Sequence, residues 1–414
     1  MRPTRWGGLS AVLGLAYVVG CAVAGWSIPA DGRTDFDVAV WPAVQQVLHG
    51  HPLHVYEPAK TIVHAASPPR VALDHGPISL VPMSVAGYAL TLAGHADDIR
   101  LQRAAALAVT ALFSLLMARE AVRVLEDARG EQLTRPRRLA LSAALLCIPA
   151  LGFGIYTHVE LPIGLWLFLR SLRDVTAGRM VRSALMAGAS VLSRTTVVLL
   201  VIPMAVSVFR QRGPRVGGRW CATAAATVAL VMTPFVLADP TAVRAAFLEV
   251  RAAQLVSYGS LAVLAAGTPL EPFIQRADTA LMGVGVLVFL WLVRRSVADV
   301  RLGAPGALGI FAGTSLWLPL LAKASFAYYA FEPTVLAILW WLSLRGSSGS
   351  IRPGSAALLL TGAAVADYVA VFAGPRADTR LLTSVVAGGL ISYALLEIVR
   401  GLRSDQTLAR PADA

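Results

Sequence analysis

Charge is scarce in this chain. Only 14% of its 414 residues are Asp, Glu, Lys or Arg, against roughly 25% in soluble proteins, while 56% are hydrophobic and the mean hydropathy is +0.65. That shortage excludes a water-soluble globular domain. Cysteine is sparse too: Cys21, Cys147 and Cys221 each fall inside apolar runs, where they read as small core residues and not as a disulfide framework or a thiolate metal site. A small-residue cleavage site is lacking after the first apolar run, which follows Arg2 and Arg5 and reaches Trp26. The run is therefore expected to stay as a first span and not to be removed as a signal peptide. Internal repeats are lacking as well, which counts against an inverted-repeat transporter. Acidic residues number 24 against 36 Lys and Arg, for a net charge of +12. The arginines cluster in short segments between apolar runs, as cytoplasmic loops require, so nucleic acid is not an expected partner.

What the chain has in abundance is apolar runs of about 20 residues, each long enough to cross ~30 Å of hydrocarbon. The expected fold is an all-α polytopic membrane protein, a single integral domain over 1–414 in the cell membrane. It has about 12 transmembrane helices and both termini in the cytoplasm. Segments such as Arg119 to Arg138, Arg170 to Arg182 and Arg400 to Arg410 mark the cytoplasmic side, and neighbouring segments must be separated by an even number of crossings. Residues 29–75 form a large first extracytoplasmic loop. Of the two apolar stretches that follow, 76–95 and 104–118, one is expected to be partial. The long stretch between Arg182 and Arg210 is interrupted by Ser193-Arg194-Thr195-Thr196 and reads as a broken helical pair, which survives at membrane depth only against protein or a wet cavity. A second large outer loop, 239–278, contains an amphipathic stretch from Ala242 to Leu255. The polar tail, 401–414, is expected to be cytoplasmic and disordered.

The first outer loop is the densest in titratable groups, with Asp31, Asp35, Asp37, Glu57, Asp74 and five of the seven histidines. Val40, Val44, Val47 and Leu48 stand at helical spacing, so an interfacial helix begins a few residues after Asp35 and ends at Gly50. Either aspartate could cap that helix, but both cannot cap it at once. The loop histidines have neither the spacing with Glu nor the Cys partners of a zinc site, so no metal is expected. Outside the loop, His158 and Glu160 share a short outer turn. Arg194 and Lys323 are cations at membrane depth, Tyr328 and Tyr329 precede a late span, and Glu332 and Asp367 are intramembrane carboxylates.

An outer loop opening DFDV, a helix ending in Gly50, the turn HVYEP and the Gly-Pro start of HGPISLVPM together resemble the polyprenyl-phosphate-mannose-dependent glycosyltransferases of family 87, in the GT-C superfamily. Weaker echoes lie at SRTTVVLL (193–200) and FAYYAFEPTVLAI (326–338). The chain departs from the family where Ala39-Val40-Trp41 replaces an aromatic pair, where Pro68-Pro69 is displaced from the second apolar run, and where Lys323, Tyr328 and Tyr329 stand in place of a late histidine. The resemblance implies a GT-C bundle and an enzyme that moves a hexose, mannose above all, from a polyprenyl-phosphate donor. The acceptor would be a lipid or cell-wall glycan on the extracytoplasmic face, and the donor would be the substrate with no other cofactor. It makes Asp35 the catalytic base, with Asp37 as its neighbour. The chemistry of transfer from a lipid-linked sugar phosphate also needs cations to hold the departing phosphate, for which Arg194 and Lys323 are the candidates, with His75, His158, Glu160, Tyr328 and Tyr329 as further substrate-binding candidates. A secondary transporter or lipid flippase is the competing class, since it also needs many spans and buried charges.

Overall fold

The computed structural model describes residues 5–29, 34–63, 73–148, 158–253, 260–294, 301–322, 327–344, 351–372 and 377–408. It is 85% helix and has no strand among the described residues. The helices are, in order, α1 (Arg5–Ser27), α2 (Trp41–Leu48), α3 (Pro58–Val63), α4 (Leu80–Leu92), α5 (Ile99–Arg129), α6 (Arg135–Leu146), α7 (Glu160–Thr176), α8 (Met180–Ser193) and α9 (Val198–Arg212). Then follow α10 (Pro214–Ala238), α11 (Pro240–Arg244), α12 (Val250–Ala253), α13 (Glu271–Leu292), α14 (Pro305–Ser315), α15 (Trp317–Leu321), α16 (Phe331–Ser343), α17 (Ile351–Phe372) and α18 (Ala377–Leu408).

Among the described residues, five helical segments are long and apolar enough to cross a membrane: α5, residues Thr195–Arg212 including α9, α10, α13 and the Leu381–Arg403 part of α18. Ala11–Ser27 and Ser355–Ala366 are parts of the longer helices α1 and α17, whereas Pro77–Leu92, Met180–Ser193 and Pro305–Leu321 are about 20–25 Å long at 1.5 Å per residue and fall short of a full crossing by length. The stretch after the first outer loop is one of these. Residues Pro77–Leu92 make a short helix, whereas the next stretch becomes the 31-residue α5, so the partial element is the first of the two. The expected break after Ser193 is also present. α8 ends there, Arg194 is extended at φ −147° and ψ 113°, and a 3₁₀ turn over Thr195–Val197 leads into α9.

The core gathers the inward faces of α5, α7, α8, α14, α16 and α18, with Phe168 against Phe311 (5.1 Å between ring centroids) and Trp340 fully buried at the centre. Leu230, Leu237, Leu287 and Trp291 lie on outward faces of α10 and α13, as lipid-facing helices require. A second cluster seats α2 under the first loop. There Val40 and Val44 are buried together with Tyr56, whose ring packs on Phe235 and Phe247. The amphipathic stretch is present over Pro240–Ala253 as α11, a π turn and α12; its last two residues lie outside the described ones. One expectation is corrected. The part of the tail expected to be disordered is helical as far as Leu408, where α18 ends, with Leu402 buried against the core around Trp340; residues 409–414 lie outside the described ones.

α7 sets the vertical scale of the molecule. Glu160 begins it, and near its other end Asp174, with a side chain that is 0% exposed, is gripped by Arg179 (2.8 Å) and Arg182 (3.0 Å). Arg173 there donates to Glu120 at 2.9 Å and to Asp127 at 2.7 Å. Fourteen residues of helix put these two ends about 20 Å apart, so the Arg-rich belt and the cluster around Glu160 occupy opposite ends of the bundle.

Candidate functional site

The two aspartates of the first loop have different surroundings. Asp37 accepts from the Thr34 backbone N–H at 2.7 Å and the Thr34 hydroxyl at 2.9 Å, which is one half of a capping box. It also accepts from Arg103 Nε at 3.1 Å and Arg103 Nη2 at 2.7 Å. The Arg103 side chain is wholly buried and also donates to the Pro29 carbonyl at 2.7 Å. Asp37 therefore anchors the start of the loop helix to α5. Asp35 makes no capping bond. Its side chain is 26% exposed and faces His158 Nε2 at 3.2 Å.

From Asp35 a chain of ionisable groups runs inward. His158 Nδ1 lies 2.6 Å from Glu160 Oε1, and Arg194 Nη1 lies 3.8 Å from that same oxygen. Arg194 Nε lies 2.6 Å from Glu332 Oε1 in the first turn of α16. Both nitrogens of the His158 ring face carboxylate oxygens, which accept and do not donate when ionised, so the ring carries two protons. Burial opposes that charge, but Glu160 and Asp35 outweigh it and push His158 up to about 10. The ring also stacks on Tyr328 at 4.0 Å with planes 32° apart. Tyr328 meets Tyr329 edge-on, and the Arg194 guanidinium lies 5.6 Å over the Tyr329 ring.

Local sequence explains how these groups meet. Gly76 lets His75 reach the cluster, since a Cβ at that position would collide with the Leu192 carbonyl at the end of α8. His75 Nδ1 then lies 2.7 Å from Ser79 Oγ, while its Nε2 stands 3.9 Å from Glu160 Oε2. Gly164, one turn after Glu160, leaves room for the Arg194 side chain, whose Cβ would lie 3.1 Å from a Cβ there. The break at Arg194 supplies the rest, because an extended residue between two helices can aim its side chain across the bundle toward α16.

The hydrogen-bond inventory of this cluster is incomplete in a specific way. The single hydrogen on Arg194 Nε is directed to Thr196 Oγ1 at 2.7 Å, so its contact with Glu332 is ionic without being a hydrogen bond. Arg194 Nη2 and Glu160 Oε2 are both buried with no hydrogen-bond partner. Orphaned buried groups of this kind each cost roughly 1–3 kcal/mol and are where a ligand or water is normally found. One is a donor and the other an acceptor.

Of the residues singled out from sequence, Asp35, His75, His158, Glu160, Arg194, Tyr328 and Tyr329 are therefore assembled at one place. Asp37 is held by Arg103, apart from that place. Lys323 lies outside the described residues, as does the side chain of Asp367. Glu332 is an intramembrane carboxylate to which the sequence assigns no role; its position in the first turn of the late apolar helix is the signal, and its partner is Arg194. Arg103 was missed. It stands in a polar interruption at 97–103 that looked like a loop, and nothing in the spacing ties it to a residue 66 positions earlier. In comparison with known proteins, no family model and no curated protein matches the chain.

Proposed function

We propose that the chain is a membrane glycosyltransferase of the GT-C kind, a bundle of about 12 crossings with both termini cytoplasmic. It would move mannose from a polyprenyl-phosphate donor to a lipid or cell-wall glycan on the extracytoplasmic face. The observation that carries this reading is the pairing of a solvent-reachable Asp35 with a buried, partly unsatisfied Arg194 in one cluster, away from the Arg-rich end. Transfer requires a carboxylate where the acceptor hydroxyl arrives and a cation where the phosphate departs.

In the proposed step the acceptor oxygen bonds to the anomeric carbon while its proton passes to an Asp35 oxygen. The bond from that carbon to the phosphate oxygen breaks, and the electron pair leaves on the polyprenyl phosphate. The imidazolium of His158 orients the Asp35 carboxylate, and Glu160 fixes the other side of the ring. Arg194 Nη2 offers an unused N–H to a phosphate oxygen, and its planar donors suit that partner. Glu160 Oε2 is placed to accept from a sugar hydroxyl, and Tyr328 and Tyr329 present ring faces of the kind sugars pack on.

One observation favours a second reading. His158 and Arg194 bring two positive charges against three carboxylates, Asp35, Glu160 and Glu332. An excess of negative charge along a chain of protonatable groups suits proton-coupled transport or lipid flipping. The test is to incubate membranes containing the protein with radiolabelled polyprenyl-phosphate mannose and follow label into lipid and glycan. Label transferred by the wild type and not by Asp35→Asn supports the enzyme. Absence of transfer, together with proton-driven uptake or lipid movement in proteoliposomes, supports the transporter.

A further inference from the structure

We propose that a cavity of about 830 Å³ between α5, α6, α16 and α17 binds an anionic phospholipid drawn from the leaflet on the Arg-rich side. It lies away from the cluster around Arg194 and is independent of the reading given there. Its walls are apolar, with Leu125 from α5, Leu141 and Ala144 from α6, Ile338 from α16 and Leu358 from α17. Two of its lining residues are cations. Arg129 is the last residue of α5 and Arg137 is in the first turn of α6. Arg137, Ala140, Leu141 and Ala144 all line the cavity and follow i, i+3, i+4, i+7 spacing, so they form one face of α6. Along that face the lining passes from guanidinium to hydrocarbon over about 10 Å.

Charge and shape together select the occupant. Arg129 is held in place, donating to the Leu342 carbonyl at 3.2 Å and pairing with Glu131. Arg137 is exposed and has no ion-pair partner among the described residues. Arg138, the next residue in the chain, is matched by Glu126 at 2.6 Å. The mouth thus has a net positive charge above an apolar well. A small soluble anion would leave the well unused, and a neutral apolar molecule would leave the arginines unused. A phospholipid with a net negative headgroup uses both, its phosphate at Arg137 and the upper part of its acyl chains against Leu141, Ile338 and Leu358. Basic pockets between helices on the positive side of a membrane protein have this chemistry, and the volume lies within the roughly 300–1,000 Å³ of ligand-sized sites.

The test is a titration of the purified full chain in neutral detergent with phosphatidylglycerol, phosphatidylcholine or inorganic phosphate, read as the shift in melting temperature. Phosphatidylglycerol should raise it well beyond phosphatidylcholine. Arg137→Gln should move the phosphatidylglycerol midpoint roughly fivefold higher, the factor expected for one cation facing an anionic lipid, while Arg210→Gln, an exposed arginine away from the cavity, should leave it unchanged. Ala144→Trp, which fills the well from an exposed position, should remove the preference, and Arg137→Gln keeps the test valid if that variant does not fold. Equal shifts with the two lipids, equal effects of the two arginine variants, or a full shift with inorganic phosphate alone would overturn the proposal.

Discussion

Asp35 and Asp37 are two residues apart, and changing each to Asn should produce opposite failures. Asp37 takes four hydrogen bonds, two from a guanidinium that is 0% exposed and two from Thr34. Asn at that position keeps one carbonyl oxygen and turns an NH₂ toward a donor, and it removes the Asp37 charge from beside Arg103. Breaking a buried ion pair from one side costs about 3–5 kcal/mol. The Pro29 carbonyl stays with Arg103, which places Asp37→Asn near the lower end of that range. The loss should appear as a lower melting temperature and a lower yield by fluorescence-detected size-exclusion chromatography, while transfer per folded molecule stays near the wild-type rate. Asp35→Asn should do the reverse. The amide is almost isosteric, its carbonyl oxygen can still accept from His158, and the position is 26% exposed, so stability should hold. Activity should fall by about 10²–10⁴-fold, the range for a positioned general base. The assignment is refuted if Asp35→Asn lowers melting temperature as much as Asp37→Asn does, or if Asp37→Asn leaves melting temperature unchanged while abolishing transfer.

The other predictions concern the elements that hold the site. Arg194→Lys should weaken use of the donor, and Arg194→Ala should weaken it further, by about 2–5 kcal/mol as the ratio of kcat/KM, the range for truncating one member of a buried charged pair; equal kcat/KM for wild type and Arg194→Ala would exclude a phosphate contact. Lys60 Nζ bonds Asp239 Oδ2 at 2.7 Å and ties the first loop to the end of α10, and this bond lowers Asp239 from 3.8 to about 2. Because the folded value lies below the unfolded one, the stabilisation is present above pH 3.8 and is lost as pH falls through about 2. Limited proteolysis of the loop should therefore rise across that window in the wild type and be already high at neutral pH in Lys60→Met. Gly76→Ala should lower both melting temperature and transfer, because its Cβ meets a backbone carbonyl that has no side-chain freedom to move away; unchanged values would show that the contact between the His75 segment and α8 is not required.

How much of the site was readable beforehand depends on the range over which each residue acts. The break at Arg194 is a local matter, since a permanent cation with three hydroxyl neighbours inside an apolar run leaves few placements. The loop helix ending at Gly50 is equally local, with φ of +83° at the residue after its last turn. The pairing of His158 with Asp35 joins residues 123 positions apart, and Arg194 with Glu332 spans a longer distance still; chain periodicity carries no information about such pairs. The same limit applies to Arg103, whose partner decided which aspartate was structural. The number of crossings is a different matter. An apolar run reads as a crossing whether its helix is straight or is cut by Pro, Gly or a polar cluster, and several here, such as Pro305–Leu321, are cut.

The wide turn between the aspartates and the loop helix has an evolutionary consequence. Residues Phe36–Val40 form a π turn that passes directly into α2, so this short segment holds one residue more per turn than an α-helix would. Its side chains are constrained as well, since Phe36, Ala39 and Val40 are buried and Asp37 is held by Arg103. Deleting one residue would let the turn tighten to α, and the remaining residues could no longer fill every place in it. Ala43 and Val44 would stay in their packing while a buried side chain or the Asp37 carboxylate lost its position. The segment should therefore stay constant in length, and in its buried positions and Asp37, across related chains, with insertions and deletions accumulating in the polar stretch after Val63. A single-residue deletion at Ala39 that retained transfer would show that the geometry around Asp35 does not depend on the count.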